Sequence, residues 1–167
     1  GATYGQVAKL TAADAAADDN FGGSVAIDGD RFLIGSYGDD YFGSDSGSAY
    51  VFALNPPFTA APTHLPTRHT ISWAQVAKMA ASDAAASDEF GRSVAIDGDT
   101  VVVGAYRDDD AGSGSGSVYV FRTTDGGATY GQVAKLTASD AAADDLFGSS
   151  VAIAGNTVVI GAKGDNT

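Results

Sequence analysis

Residues 90–121 read FGRSVAIDGDTVVVGAYRDDDAGSGSGSVYVF, and the rest of the chain consists largely of copies of this stretch. An earlier copy, FGGSVAIDGDRFLIGSYGDDYFGSDSGSAYVF, begins at Phe21, and a third, FGSSVAIAGNTVVIGAKGDNT, begins at Phe147. Similarity that recurs along a chain is the signature of a repeat architecture, in which each copy forms one structural unit. The sequence therefore predicts two complete units and part of a third.

Each copy contains the pattern of several short strands. SVAI and TVVVGA are apolar, β-branched runs on either side of Asp97, Gly98 and Asp99, and this DG turn predicts a hairpin over residues 93–106. The alternating segment SVYVF predicts a third strand. The stretch YGQVAKLTA predicts a fourth, in which Lys135 suits an outer edge. Four short antiparallel strands per unit form one blade of a β-propeller.

The predicted fold is all-β, and residues 1–167 form one segment of a β-propeller. Propellers close with about four to eight blades, so two units and part of a third leave open sides. Open sheet edges invite further pairing. We therefore expect the rest of a longer chain, or other copies, to complete the propeller.

An insertion separates the first two units. Gln6, Gln75 and Gln132 occupy one equivalent position, at spacings of 69 and then 57 residues. The surplus predicts a loop insertion at about residues 55–70, which contains all four prolines and both histidines of the chain. Its Thr- and Pro-rich composition suits O-glycosylation or an extended spacer, and we interpret the histidines as exposed loop residues.

An Ala-rich connector, TASDAAADDLFG in its last copy, links each unit to the next. DAAADD could form one helical turn capped by Ser139 or Asp140, but a compact loop is favoured. The Phe-Gly pair after each connector is expected to place Phe21, Phe90 and Phe147 between adjacent blades, with glycine allowing close approach of the backbone. The acidic residues of the connectors are interpreted as a solvated rim: Asp14, Asp18, Asp19, Asp83, Asp88, Asp140, Asp144 and Asp145.

Charge and composition limit the classes of partner. With 21 acidic and 9 basic residues, the formal net charge is −12, which argues against nucleic acid and anionic membrane surfaces and favours cations or basic groups. The chain has no cysteine, so disulfides and thiolate chemistry are excluded. No apolar run is long enough to insert into a membrane, and the first residues lack the pattern of a secretory signal. A signal could still lie upstream, because the chain is expected to be part of a longer polypeptide.

Six acidic residues precede the third strands and are candidate calcium ligands. Clustered carboxylates in Gly/Ser-rich loops can wrap a hard cation, and calcium tolerates irregular geometry. The alternative is an acidic turn whose Asp and Ser side chains bond to local backbone N–H groups. The six residues are Asp39, Asp40 and Asp45 in the first unit, and Asp108, Asp109 and Asp110 in the second.

The sequence does not support catalysis. General acid–base chemistry needs one site with differently tuned groups, whereas these carboxylates recur from copy to copy. The serines lack a nucleophile elbow, and the Gly-rich loops do not precede a phosphate-binding helix. We therefore expect a protein that is not an enzyme.

The repeat resembles FG-GAP repeats, which form the blades of the integrin α-subunit type of propeller. The matching dipeptides are Phe21-Gly22, Phe90-Gly91, Phe147-Gly148, Gly35-Ser36, Gly104-Ala105 and Gly161-Ala162. The resemblance implies a propeller, most often seven-bladed, used for extracellular adhesion or ligand binding. Calcium-binding members carry a DxDxDGxxD-like loop between the first two strands, where this chain has only short DG-type turns. Any calcium is therefore expected at the later Asp-rich loops.

The expected function is that of a non-catalytic extracellular binding or adhesion module, secreted or on the cell surface. Its acidic loops would stand side by side on one propeller face and contact a protein or glycan partner through several weak interactions. Three alternatives remain open from the sequence. One is a structural subunit of a cell wall, sheath or surface filament, another is a carbohydrate-binding propeller, and the third is an enzyme whose catalytic part lies outside these residues.

Overall fold

The computed structural model describes residues 5–54 and 72–166. Within these residues there is no helix, and ten strands follow one another along the chain. The predicted insertion at about residues 55–70 lies outside the described residues, as do both histidines. The strands are β1 (Phe21–Asp28), β2 (Arg31–Ser36), β3 (Ser48–Leu54), β4 (Trp73–Met79), β5 (Ser93–Asp97), β6 (Thr100–Ala105), β7 (Ser117–Arg122), β8 (Gly131–Leu136), β9 (Phe147–Ala154) and β10 (Thr157–Ala162).

The strands form two four-stranded sheets and one hairpin, all antiparallel. Sheet order is β1-β2-β3-β4 in the first unit and β5-β6-β7-β8 in the second, and the third unit is the β9-β10 pair. The hairpin predicted over residues 93–106 is confirmed: Asp97 pairs with Thr100, and Gly98 turns the chain with a φ of 55°. The predicted all-β fold of four-stranded antiparallel units is therefore confirmed.

Each unit has two apolar faces, because both alternating sets of side chains along its strands are apolar. We define the front face by the second unit's set, which is Val94, Ile96, Val101, Val103, Tyr119 and Phe121. We define the back face by the first unit's opposite set, which is Ala26, Leu33, Ala49, Val51 and Met79. One core cluster contains residues of both sets, so the back face of the first unit packs on the front face of the second.

The Phe-Gly pair has the predicted packing role in the second unit. Phe90 is fully buried and meets the rings of Tyr119 and Phe121 edge to face, with centroids 5.5 and 5.9 Å apart. A Cβ atom on Gly91 would stand 2.3 Å from the carbonyl oxygen of Ser48 in the first unit. The glycine is therefore required where the two backbones approach.

The connectors are compact turns, as favoured from the sequence, and they fasten consecutive units together. Backbone N–H groups of Ser87, Glu89 and Phe90 donate to the carbonyl oxygens of Ser44, Asp45 and Ser46, at 2.8 to 3.1 Å. The connector after the second unit bonds in the same way to the loop between β6 and β7. The acidic loops thus hold the next unit in place through their backbone.

Candidate functional site

A cleft of about 270 Å³ lies between connector and acidic loop in each of the first two units. Both clefts use the same repeat positions, so they are two versions of one site. The first acidic cleft is lined by Asp14, Ala16, Ala17, Asp19, Asp39, Asp40, Tyr41 and Lys78. The second acidic cleft is lined by Asp83, Ala85, Ala86, Asp88, Asp108, Asp109 and Asp110.

One buried carboxylate forms the base of each cleft. In the first, Asp39 accepts hydrogen bonds from the Tyr50 hydroxyl (2.7 Å), the Ser48 hydroxyl (3.0 Å) and Lys78 Nζ (3.0 Å). Burial alone would raise the pKa of Asp39, but the hydrogen bonds from Tyr50, Lys78 and Ser48 outweigh it and hold this pKa below its ordinary value. This carboxylate therefore stays ionised and serves the fold.

The equivalent carboxylate of the second cleft is Asp108. It accepts a hydrogen bond from the Tyr119 hydroxyl at 2.6 Å, and burial together with this bond raises the pKa of Tyr119. Tyr119 remains a neutral donor under physiological conditions. Asp108, which accepts this hydrogen bond, is in turn paired with a cation on the outermost strand of the sheet.

That cation is a lysine at the same position of β4 and β8. In the second cleft, Lys135 Nζ lies 2.7 Å from Asp83, 3.1 Å from Asp108 and 2.5 Å from Asp110. Burial would lower the pKa of Lys135, but its bonds to these three carboxylates raise it above the ordinary value. The edge lysine predicted from the sequence is therefore the cleft's own counter-ion.

Lys78 has the equivalent role in the first cleft, with one difference. It lies 2.6 Å from Asp14 and 3.0 Å from Asp39. Where the second cleft has Asp110, the first has Tyr41, and Lys78 Nζ stands 4.3 Å from the centre of that ring. The first cleft thus replaces one carboxylate by an aromatic face.

The structure does not bring all the predicted calcium ligands of a loop together around one position. Carboxylate oxygens of Asp83, Asp108 and Asp110 lie within 4.8 Å of one another, and oxygen ligands suit calcium. However, the Lys135 ammonium already contacts all three, so an ion would have to displace it. Calcium binding therefore stays a prediction, and the Lys135 ammonium is a competitor that was not predicted from the sequence.

Three of the other predicted calcium ligands, Asp40, Asp45 and Asp109, accept hydrogen bonds from groups of their own loops. Asp40 Oδ1 accepts from the backbone N–H of Asp45 at 2.8 Å, and Asp109 Oδ1 accepts from that of Gly114 at 2.7 Å. Asp45 is exposed, accepts from the neighbouring Ser44 hydroxyl and does not line either cleft. For Asp40 and Asp109 the structure matches the alternative of an acidic turn bonded to local backbone.

The interpretation of the connector acids as a solvated rim is wrong for Asp19 and Asp88. Both are buried, and each accepts a hydrogen bond from a backbone N–H of its own connector, that of Ala16 at 2.6 Å or Ala85 at 2.7 Å. Burial raises the pKa of Asp88, and the nearby charges of the acidic loop add to this effect. The compact turn needs these internal acceptors, which is why the acids point inward.

Negative charge exceeds positive charge in both clefts. The second cleft brings together five carboxylates, and Lys135 contacts three of them, Asp83, Asp108 and Asp110. Sequence reasoning missed Asp83 and Lys135 as partners, although both recur at the positions of Asp14 and Lys78. Chemically, such a cleft can hold a further cationic group at its rim.

The comparisons with known proteins concern the repeat. The FG-GAP repeat family matches residues 4–52, 73–121 and 130–167. A comparison with curated proteins gave no significant match. FG-GAP repeats occur in adhesion-type β-propeller proteins, usually extracellular or on the cell surface, and typically mediate protein interactions in a generally non-catalytic fold.

The matches cover most of the chain and are offset by one strand from the sheets of the structure, since the second match begins with β4 of the first sheet and ends in β7 of the second. Each begins before the connector of one unit and includes its Phe-Gly pair and hairpin. None of the described residues forms a helix long and apolar enough to cross a membrane. The resemblance inferred from the Phe-Gly pairs is thereby confirmed, and the chain belongs to the FG-GAP repeat family.

Proposed function

We propose that this chain is a non-catalytic binding module of a secreted or cell-surface protein, and that its acidic clefts hold basic groups of a protein or glycan partner. The observation that carries the proposal is the charge balance of the second cleft, which is lined by five carboxylates and in which Lys135 contacts three of them. Asp109 and Asp110 are exposed at its rim and can reach a partner. Family membership supports the class of function.

The two clefts favour a partner with several cationic groups. Each exposed ion pair contributes about 0.2–1 kcal/mol, so one contact is weak. Two clefts on consecutive units can act together when one partner spans both. The binding is expected to weaken with added salt, because exposed charges are screened beyond about 8 Å at physiological ionic strength.

A labelled oligo-arginine peptide tests this proposal, with its citrulline counterpart as the neutral control. Changing Asp109→Asn together with Asp110→Asn should weaken peptide binding by about 3- to 10-fold in fluorescence anisotropy at low salt. Asp30→Asn together with Asp140→Asn removes the same charge from exposed positions outside the clefts and should have a smaller effect. Equal losses in the two double variants would reject the clefts as the site.

We also propose that calcium, where it binds, uses the acidic loops, and that the second unit is the better site. Asp110 supplies a carboxylate there, whereas the first unit has Tyr41. Replacing Lys135→Met should strengthen calcium binding in calorimetric titration, because it removes the competing ammonium. Lys78→Met is the matched variant of the first cleft and should have less effect. Calcium heats that Lys135→Met and Asp110→Asn leave unchanged would reject this site.

A structural subunit of a wall, sheath or filament is the second candidate function. The observation that favours it is the face-to-face packing of consecutive units, in which the back face of the first unit covers the front face of the second. Units that stack in this way can continue into a longer array. Electron microscopy of the concentrated protein would distinguish ordered assemblies from isolated particles.

A further inference from the structure

A larger cleft, of about 410 Å³, lies beside the second acidic cleft. Its walls come from the loop between β6 and β7 and from the connectors on either side of the second unit. Among the described residues that line it, Arg107 is the one with a basic side chain. We call it the arginine cleft. Its volume is in the range of sites that hold small ligands.

Arg107 is held in this cleft through its Nε atom. Nε donates to the Tyr106 hydroxyl at 3.0 Å and lies 3.2 Å from Glu89 Oε1. Within residues 5–54 and 72–166, neither Nη group of Arg107 donates a hydrogen bond, and the side chain is 55% exposed. A guanidinium presents paired N–H donors that match a planar carboxylate. The Nη groups are therefore available to an acidic group of a ligand.

The Tyr106 ring, which forms one wall, is held by two cations. Arg92 Cζ and Arg107 Cζ each lie 5.5 Å from the centre of this ring. Arg92 also packs on Tyr37 of the preceding unit, 4.6 Å from the centre of that ring. Because cation–π contacts of this kind are attractive, they keep the Tyr106 ring in place. The aromatic wall is therefore formed before any ligand binds.

Three polar side chains of the arginine cleft have unused hydrogen-bonding capacity. In the part of the chain that the structure describes, the side chains of Ser87, Ser113 and Asp144 make no hydrogen bond or ion pair, and all three are exposed. A serine hydroxyl both donates and accepts, whereas a carboxylate accepts. Together they suit a ligand that carries several hydroxyl groups.

Leu146 gives the cleft an apolar wall at an unusual position. Its φ is 56°, and Asn20 and Glu89 have nearly the same φ at the equivalent positions of the other connectors. Asparagine tolerates this left-handed conformation, whereas a bulky apolar residue is uncommon there. Backbone conformations of this kind are often retained where a site needs them. The turn itself therefore does not explain the leucine, which adds apolar surface to the cleft.

The first unit lacks this combination of side chains. Gly38 takes the place of Arg107, and a Cβ atom there would stand 2.3 Å from the carbonyl oxygen of Asp18. Three acidic residues, Asp18, Asp45 and Glu89, stand where the second unit has Ser87, Gly114 and Leu146. Their charges would repel an acidic ligand. The arginine cleft is therefore a feature of the second unit and not of the repeat in general.

We propose that the arginine cleft binds a carboxylated sugar, a hexuronic acid unit of a glycan. Arg107 holds its carboxylate, and its hydroxyl groups bond to Ser87, Ser113 and Asp144. A sugar with one carboxylate fits better than a dense polyanion, because two carboxylates also line the cleft and the net charge of the chain is −12. The proposal does not depend on binding of basic groups by the acidic clefts.

NMR titration with hexuronic acid trisaccharides of the gluco, manno and galacto series tests the proposal, each beside its neutral hexose counterpart. At least one uronate should bind about 10-fold more tightly than its neutral counterpart, as a hydrogen bond to a charged group would provide. Arg107→Gln should remove this preference. Arg122→Gln removes the same charge from another exposed arginine, outside the cleft, and should leave the preference unchanged.

A second variant tests the apolar wall. Leu146→Asn introduces the residue that the first connector has at this position, so the turn should be retained. It should weaken binding of the uronate and of the neutral sugar alike, by about 3- to 10-fold. Four results would each overturn the proposal: no binding of any uronate, a preference that survives in Arg107→Gln, Leu146→Asn without effect, or an oligoglutamate peptide that binds as tightly as the uronates.

Discussion

Strands β1 and β5 carry the same front-face side chains in the same register, yet those of β1 are exposed and those of β5 are buried. Val25 and Ile27 face solvent, whereas Val94 and Ile96 lie in the core between units. Local sequence cannot cause this difference, because the residue types are the same. A single unit of this repeat therefore does not complete its own core, and burial depends on the unit that precedes it.

The largest difference in stability between matched substitutions in the two units is expected at the phenylalanines of the Phe-Gly pairs. Phe90 is fully buried, so Phe90→Ala should cost about 3–5 kcal/mol of unfolding free energy. Phe21 is only partly buried against Tyr50 and Phe52, so Phe21→Ala should cost roughly half as much. Urea unfolding of the two variants measures both. Similar losses would mean that the preceding unit adds little to the packing of Phe90.

The isoleucines of the first and fifth strands give the second comparison. Ile96→Ala should destabilise the chain by about 2–4 kcal/mol, because it leaves a cavity between two units. Ile27→Ala should cost less than about 1 kcal/mol in a monomeric sample, because solvent already surrounds the side chain. Urea midpoints at low protein concentration measure this pair. A large loss in Ile27→Ala under these conditions would show that the first front face is covered.

Alanine substitutions at the glycines of the Phe-Gly pairs distinguish the cost of backbone strain from the cost of a clash between units. Gly22 and Gly91 have nearly the same φ, 88° and 92°, so alanine is strained at both. Only at Gly91 would the new Cβ also collide with Ser48 of the preceding unit, whereas at Gly22 no atom lies within 4 Å. Gly91→Ala should therefore cost about 1–3 kcal/mol more than Gly22→Ala. Equal losses in thermal unfolding would assign the whole cost to strain.

The smallest expected effect concerns the buried carboxylate of the first cleft. Tyr50→Phe removes one donor to Asp39 and should cost about 1–2 kcal/mol at neutral pH. Because the pKa of Asp39 is lowered in the folded state, its stabilising contribution is present above the ordinary Asp pKa of about 3.9 and is lost as the pH falls further.

Acid titration of stability checks this sign. Between about pH 5 and pH 2, the unmodified chain should lose more stability than Tyr50→Phe, in which the pKa of Asp39 is less depressed. Ser44→Ala, in the same loop, removes a hydroxyl that does not reach Asp39 and serves as the control. Parallel pH profiles for the chain and Tyr50→Phe would contradict this account of Asp39.

The fold could be predicted from the sequence because its signals are local. Two apolar runs around a DG turn predicted the hairpin of β5 and β6, and the alternation in SVYVF predicted β7. Because these signals recur along the chain, the repeat units could be predicted as well. The Phe-Gly contact was also predictable, since a buried aromatic and a close backbone approach explain why both residues recur.

The clefts were predicted only in part, because their partners lie far apart in the chain. Tyr119 of β7 binds Asp108 and pairs with Lys135 of β8, so these two charges meet, and Asp83 joins them from the connector. The clustered aspartates therefore suggested a bound calcium ion, whereas in the structure the ammonium group of Lys135 contacts them. The inward orientation of Asp88 depends on the turn of the connector, which composition does not specify.

The same side chain is exposed in the first unit and covered in the second. This difference in exposure can be measured by thiol labelling, because the chain has no cysteine of its own. In separate variants, Val25→Cys should react with a thiol reagent nearly as fast as a free peptide thiol. Val94→Cys should react at least about 100-fold more slowly, since labelling there requires separation of the units. Comparable rates for the two variants under native conditions would contradict the account.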